Sequence, residues 1–270
     1  MKSKKTKASF DRGVSESIGF LLIFTMVIAG IGLVTLYGYP LLLQQQTSAD
    51  EQIMEKNMIV LQNDVKNLAY KTVPYTETSL KIGGGTLTMY NTSDSSPSST
   101  IRIYDTSGDY VSGYHSGELR YESISASRDI SLQDGAVVSR DLIQNGSVML
   151  AEPRWFYDSP TNTMVLNLIG FNSTDSLARA GIGTVQMGLG EANFTSSLIN
   201  PGVIVNLEFT PDSVQDYSIA WDNYLINSVK MVRDSGTPGT GSMVRYTLPF
   251  DPSRPGTLVI KKYDVIIKSL

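Results

Sequence analysis

Acid–base chemistry has few places to reside in this sequence. Asp105, Asp109 and His115 fall in one Gly- and Ser-rich stretch, and a carboxylate beside an imidazole is a common means of moving a proton near neutral pH. His115 is the only histidine, however, and nothing in the pattern orients it, so it reads as a solvated loop residue. Asp212, Asp216 and Asp222 offer oxygen ligands, but their spacing departs from the calcium-loop order Asp-x-Asp-x-Asp-Gly. Gly181–Ile182–Gly183 and Gly188–Leu189–Gly190 lack the third glycine and the strand-to-helix setting of a nucleotide motif. The loop Gly236–Thr237–Pro238–Gly239–Thr240–Gly241 lacks the terminal Lys-Ser/Thr of a phosphate loop. The absence of cysteine excludes thiolate metal sites, Fe–S clusters, nucleophilic thiols and disulfides, and a single histidine excludes a multi-histidine zinc site. The sequence therefore predicts a protein that is not an enzyme, with no catalytic residue, cofactor or metal.

The elements that would carry any site are ordered by charge. Lys2, Lys4, Lys5, Lys7 and Arg12 make a basic tail, and the 26 positions from Ile18 to Leu43 hold no charged residue. Beyond Gln44, 17 Lys and Arg face 24 Asp and Glu, an acidic balance that argues against a nucleic-acid partner. The uncharged stretch is apolar on every side, and about 20 residues span a hydrocarbon core. Residues 14–43 are predicted to be a transmembrane helix behind a cytoplasmic leader, 1–13. No Lys or Arg follows the span until Lys56, which puts the remainder outside the cell. Tyr37 and Tyr39 would lie in an interfacial belt, with Pro40 at a kink or exit. A secretory signal peptide cut near Thr47–Ser48–Ala49 is the competing reading, but its apolar region runs about 7 to 15 residues, so retention of the segment is expected. Met54, Met58, Leu61, Val65 and Leu68 then recur at helical spacing, so 44–73 is predicted to extend the helix in amphipathic form and end near Pro74.

The junction Asp11–Arg12–Gly13–Val14–Ser15–Glu16–Ser17–Ile18–Gly19–Phe20 resembles the class III signal peptide of archaeal type IV pilin-like proteins and archaellins. More loosely, the whole chain is similar to a group of archaeal single-span proteins with this N-terminus, through Gly135–Ala136–Val137–Val138 and Gly146–Ser147–Val148–Met149. In such proteins a prepilin-type peptidase cuts after a basic residue and a glycine. By position, Arg12 and Gly13 would precede the cut and Val14 would become the new N-terminus. Many archaeal pilins have proline where Glu16 stands, and the assembly glutamate of bacterial-type pilins lies two positions later. Two roles stay open for Glu16. It can pair with the new amine of a neighbouring subunit, since a carboxylate at the edge of lipid is costly alone, or it can favour the helix dipole behind Ser15 as N-cap.

From Pro74 the pattern changes to short period-two runs between turn residues, which predicts one β-rich domain, 74–270, built as an antiparallel sandwich. The fold class is thus α+β, mainly β. Strands are expected at 80–82, 86–90 and 101–104, with Gly83–Gly84–Gly85 as a break. Asp134–Gly135 signals a hairpin. Further strands are expected at 147–150, 155–157, 164–169, 183–187, 203–209, 243–248 and 257–267. One short helix near 211–228 is expected, with Thr210 as cap and Val214, Tyr217, Trp221, Tyr224 and Leu225 as its packing face. Asn91, Asn145, Asn172 and Asn193 head glycosylation sequons on the predicted outer side. The expected function is a pilin-like, membrane-anchored surface subunit whose partners are the membrane, the peptidase and other pilin-like subunits or itself. Its alternative is a monomeric single-span protein whose β-domain binds an envelope component or partner.

Overall fold

The computed structural model describes residues 10–71, 73–93, 99–125, 127–212, 214–236 and 242–270, with side chains from Ser17 onward. The chain divides into two compact units, Met1–Ala49 and Asp50–Leu270.

In the first unit, helix α1 (Phe10–Leu33) leads through a π-helical stretch, Val34–Gly38, into helix α2 (Tyr39–Tyr70). The hydroxyls of Thr25 and Thr35 donate to the carbonyls of Leu21 (2.7 Å) and Ile31 (2.9 Å), so both are satisfied within the helix. Pro40 does not end the helix. It cannot donate to the carbonyl one turn back, and the chain widens just before it, where the Tyr39 N–H donates to the Val34 carbonyl five residues earlier.

The second unit begins where α2 becomes amphipathic. Met54, Met58, Leu61, Val65 and Leu68 are each 0% exposed. They pack on a nine-stranded sheet in the order β7-β6-β5-β4-β1-β10-β14-β9-β8. Its strands are β1 (Tyr75–Tyr90), β4 (Glu118–Ser123), β5 (Arg128–Gln133), β6 (Ala136–Asp141), β7 (Gly146–Ala151), β8 (Phe156–Asp158), β9 (Thr163–Asn172), β10 (Ala178–Ile199) and β14 (Gly256–Ser269). A five-stranded sheet is formed by β2 (Thr100–Asp105), β3 (Gly108–His115), β11 (Asn206–Thr210), β12 (Val232–Arg233) and β13 (Val244–Thr247), in the order β12-β13-β11-β2-β3. All pairs are antiparallel except β14 with β9.

Side-chain alternation gives the large sheet two buried faces. On β14, Leu258 and Ile260 join the core shared with the small sheet and helix α3 (Ser218–Asn227), whereas Tyr263, Val265 and Ile267 join the core under α2. The unit is therefore a mainly β domain of two sheets, with a helix on the outer face of the larger one.

Four local expectations are corrected. The three glycines do not break a strand: β1 runs through them with a shift of register between Ile82 and Leu87. A Cβ at Gly85 would meet the Glu122 carbonyl oxygen at 2.4 Å, so glycine is there for close approach to β4. Asp109 to His115 form strand β3, not a loop. Helix α3 starts at Ser218 rather than Pro211, because Thr210 pairs with Thr100 in the small sheet. The carboxylates of Asp212 and Asp216 then accept the N–H groups of Val214 (2.7 Å) and Ser218 (2.8 Å), turning the intervening backbone away from helix. Tyr217, Trp221, Tyr224 and Leu225 are buried as a stripe, while Val214 is exposed outside it. The Asp134–Gly135 hairpin is present, both residues at positive φ (47° and 73°), as a tight two-residue turn requires.

The seam carries a direct test. Leu61→Ala removes a fully buried side chain between helix and sheet and is expected to cost about 3 kcal/mol. Thermal or denaturant unfolding of the intact chain in detergent micelles measures it, with the exposed Val60→Ala as control.

Candidate functional site

The apolar helical stretch presents its side chains outward all around, among them Leu21 (64% exposed) and Met26 (73%). The helical run Ser17–Tyr70 contains a window of mean hydropathy 2.5, none of it buried, and is long and apolar enough to cross a membrane. Apolar area of this extent needs cover other than water. Helix α1 begins at Phe10, so the backbone of Arg12, Gly13, Val14, Ser15 and Glu16 is already helical. Their side chains lie outside the described ones, as do residues 1–9. Ser15 therefore stands inside the helix of the uncut chain, and its capping role requires a new end at Gly13–Val14.

Where α2 enters the second unit, polar side chains reinforce its seam. The buried Glu51 carboxylate accepts the hydroxyls of Ser123 (2.8 Å) and Ser127, and Arg128 meets Glu55 at 2.6 Å. Asn57 donates to the Lys81 carbonyl (3.2 Å), and Thr78 donates to Asp64. Gln62, also buried, donates through one amide nitrogen to the carbonyls of Gly135 (2.7 Å) and Glu152 (3.0 Å). The mount thus ties one helix to β1, β4, β5 and the β5–β6 turn.

A second polar group lies on the opposite face of the large sheet. Glu118, Arg120 and Asp129 project from β4 and β5 and are buried, as is Asp212 after β11. Arg120 pairs with Glu118 and reaches Asp212 at 3.5 Å, and Ser131 donates to Glu118. Arg140 donates to the Val214 carbonyl and to Gln215, both at 2.8 Å. Burial, then Glu122, raises the Asp129 pKa to about 6 against the pull of Arg120 and Arg140. Burial likewise pushes Glu118 upward, opposed by Arg120 and Ser131. This group joins the large sheet to the loop ahead of α3. Sequence reasoning missed it, because Glu118, Arg120 and Glu122 alternate with Leu119 and Tyr121 as on a strand with one wet face.

The residues considered for chemistry do not converge. Asp109 forms a forked pair with Arg102 (2.8 Å at the shortest), and Asp105 accepts the Tyr110 hydroxyl and the N–H groups of Ser107 and Gly108. The His115 ring meets the Thr100 hydroxyl at 3.3 Å. Asp222 binds Arg233 and Tyr246, away from the turn-forming Asp212 and Asp216. Among the described residues, no group of three or more His, Cys, Asp or Glu is placed to hold a metal ion. Most of the Gly236–Gly241 loop lies outside the described residues.

The sequons separate into two kinds. Asn91 accepts the Ser173 N–H (2.6 Å), while Asn172 accepts the Thr92 hydroxyl (2.6 Å) and N–H (3.3 Å). These two half-buried asparagines therefore lock their segments together. Asn145, in the β6–β7 turn, and Asn193, on β10, are exposed.

Residues 12–260 match the model of a family of unknown function (DUF7289), and the chain belongs to that family. No curated protein and no solved structure matches it.

Two measurements follow from this geometry. Folding raises the Asp129 pKa, so its stabilisation is complete below about 3.9, the unfolded value, and is lost as pH rises through 6. Acidification from about pH 7.5 to 5 should therefore raise the melting temperature. Carboxylates held low, such as Asp105 under the Tyr110 hydroxyl, lose their contribution only on further acidification. Asp129→Asn should flatten the rise between pH 5 and 7, and an unchanged slope would assign it to other groups. For the sequons, intact mass of protein from a glycosylating host should show glycan loss with Asn145→Gln or Asn193→Gln. Asn172→Gln should instead lower stability by about 1–3 kcal/mol through its lost hydrogen bonds.

Proposed function

We propose that this member of the DUF7289 family is a pilin-like, membrane-anchored surface subunit: inserted with its tail in the cytoplasm, trimmed after Gly13 by a prepilin-type peptidase, and held or polymerised through its N-terminal helix. The observation that carries this reading is the change of character within one helical run. Apolar residues are bare on every side up to Leu43, and the seam from Met54 to Leu68 is sealed onto the chain's own sheet. A helix built so is both a lipid-soluble stem and a core element of the domain that it bears. The mechanism is structural. Stems bundle through the bare part, and the domain presents its surface.

Charge supports the direction of insertion, with a basic tail on one side and an acidic domain on the other. In the trimmed chain Val14 carries the free amine, and Glu16 stands within a turn of it or beside a neighbour's amine, where pairing would set axial register.

One observation favours the second reading, a monomeric single-span protein whose β-domain binds an envelope component or partner. The seam is already used by the chain's own sheet, which leaves the helix before Asp50 as the stretch available to other copies.

Intact mass and N-terminal sequencing of protein purified from its native membrane test the first step. A chain beginning at Val14 is expected, and retention of the residues up to Gly13 overturns the processing. For assembly, Glu16→Ala should abolish filaments recovered by shearing. Filaments at the level of the unaltered chain would leave Glu16 a role at the helix end alone.

A further inference from the structure

Helix α2 ends at Tyr70, short of the far part of the large sheet, and two adjoining clefts open there within the second unit. One, of about 740 Å³, is lined by Lys66, Tyr70, Lys71, Glu152 and Arg154. The other, of about 390 Å³, shares Tyr70 and Arg154 and adds Phe156, Lys261 and Tyr263.

Two features set this place apart. The first is unspent positive charge in an acidic domain. Arg102, Arg120, Arg128, Arg233, Arg245 and Arg254 all pair with carboxylates, and Arg140 and Arg179 donate to backbone carbonyls. Among the described arginines, Arg154 alone has a guanidinium with no hydrogen-bond acceptor. It lies over the Tyr70 ring, 5.1 Å from the centroid. Lys66, beside it, donates only to Gln62 (3.1 Å), and burial together with Arg154 draws its pKa down. The single acid of the larger cleft, Glu152, is engaged by the Ser228 hydroxyl at 2.6 Å.

The second feature is a set of aromatic faces. Tyr70 and Tyr263 meet edge to face at 5.5 Å, and Phe194 meets Tyr263 at 5.6 Å. Lys261 stands 6.0 Å from the Phe194 ring. Phe156 (44%) and Phe194 (63%) are left open to solvent. Apolar ring faces suit the C–H face of a sugar, whereas a planar guanidinium with free N–H groups suits a carboxylate through two parallel hydrogen bonds. Two open clefts joined through Tyr70 and Arg154 suit successive rings of a chain better than one enclosed small molecule.

We propose that these joined clefts bind an acidic polysaccharide, with a uronate carboxylate on Arg154 and Lys66 and a neighbouring sugar ring on Phe156. The proposal rests on the outward placement of the domain only for the natural source of the polymer, because binding is measured on purified protein and can fail or succeed independently of processing and assembly.

The test uses the full chain in detergent micelles at about 0.15 M salt, titrated calorimetrically with tri-galacturonate, an uncharged trisaccharide of glucose and inorganic phosphate. Binding of tri-galacturonate alone is expected. Arg154→Ala should weaken it tenfold or more, Arg154→Lys should restore part of the loss, and Phe156→Ala should weaken it several-fold. Both sites are exposed at the surface, so melting temperatures should stay near that of the unaltered chain. Equal binding of the uncharged sugar, phosphate binding as tight as that of the uronate, no binding of the uronate, or uronate binding indifferent to Arg154→Ala would each overturn the assignment.

Discussion

Burial of the α2 seam against the nine-stranded sheet is the contact on which the second unit depends. A sheet of that width, with apolar residues on both faces, needs two covers. The small sheet and α3 supply one, sealed by Trp155, Trp221 and Phe209, with ring separations of 5.6 Å from Trp221 to each of the other two. Met54, Met58, Leu61, Val65 and Leu68 supply the other. Without them, Leu87, Leu119, Ile130, Leu132 and Val185 would face water on an open sheet. The helix that bears the apolar stretch is thus also part of the core, and unfolding the domain must release it.

A hydrophobic seam alone fixes position loosely, because a slip of one heptad replaces one apolar row by another. Polar contacts remove that freedom. The buried Gln62 amide meets two carbonyls at once, and the Glu51 carboxylate is held by serine hydroxyls. A slipped helix would leave these groups buried without partners, at about 1–3 kcal/mol each and more for the charge. Apolar burial supplies the attraction, and the polar atoms select a single register.

What the sequence made legible has local causes. The seam follows from the 3.6-residue period, the apolar helix ahead of it from an unbroken apolar run, and the Asp134–Gly135 hairpin from two residues that tolerate positive φ. What it hid depends on partners distant in the chain. Gly83, Gly84 and Gly85 look like a break until β4 is seen passing beside Gly85. Glu118 and Arg120 look solvated until the loop carrying Asp212 closes over them. Thr210–Pro211 is a sound helix start locally, yet pairing with Thr100 makes Thr210 the last residue of a strand. The clefts at Tyr70 were invisible for the same reason, being assembled from α2, the segment at Arg154 and β14.

The chain holds this architecture without a single cysteine. In place of disulfides, side chains reach backbone groups far along the sequence. The Asn162 amide donates to the carbonyls of Asp251 (3.2 Å), Arg254 (3.3 Å) and Pro255 (3.2 Å), and the Trp155 ring N–H donates to Asn167 (2.8 Å). Asn91 and Asn172 clasp each other's segments. Each such bond is worth about 1 kcal/mol net, but breaking one leaves buried partners unsatisfied, so the set gives way together rather than piece by piece. Because no thiol takes part, neither folding nor stability depends on formation of a disulfide.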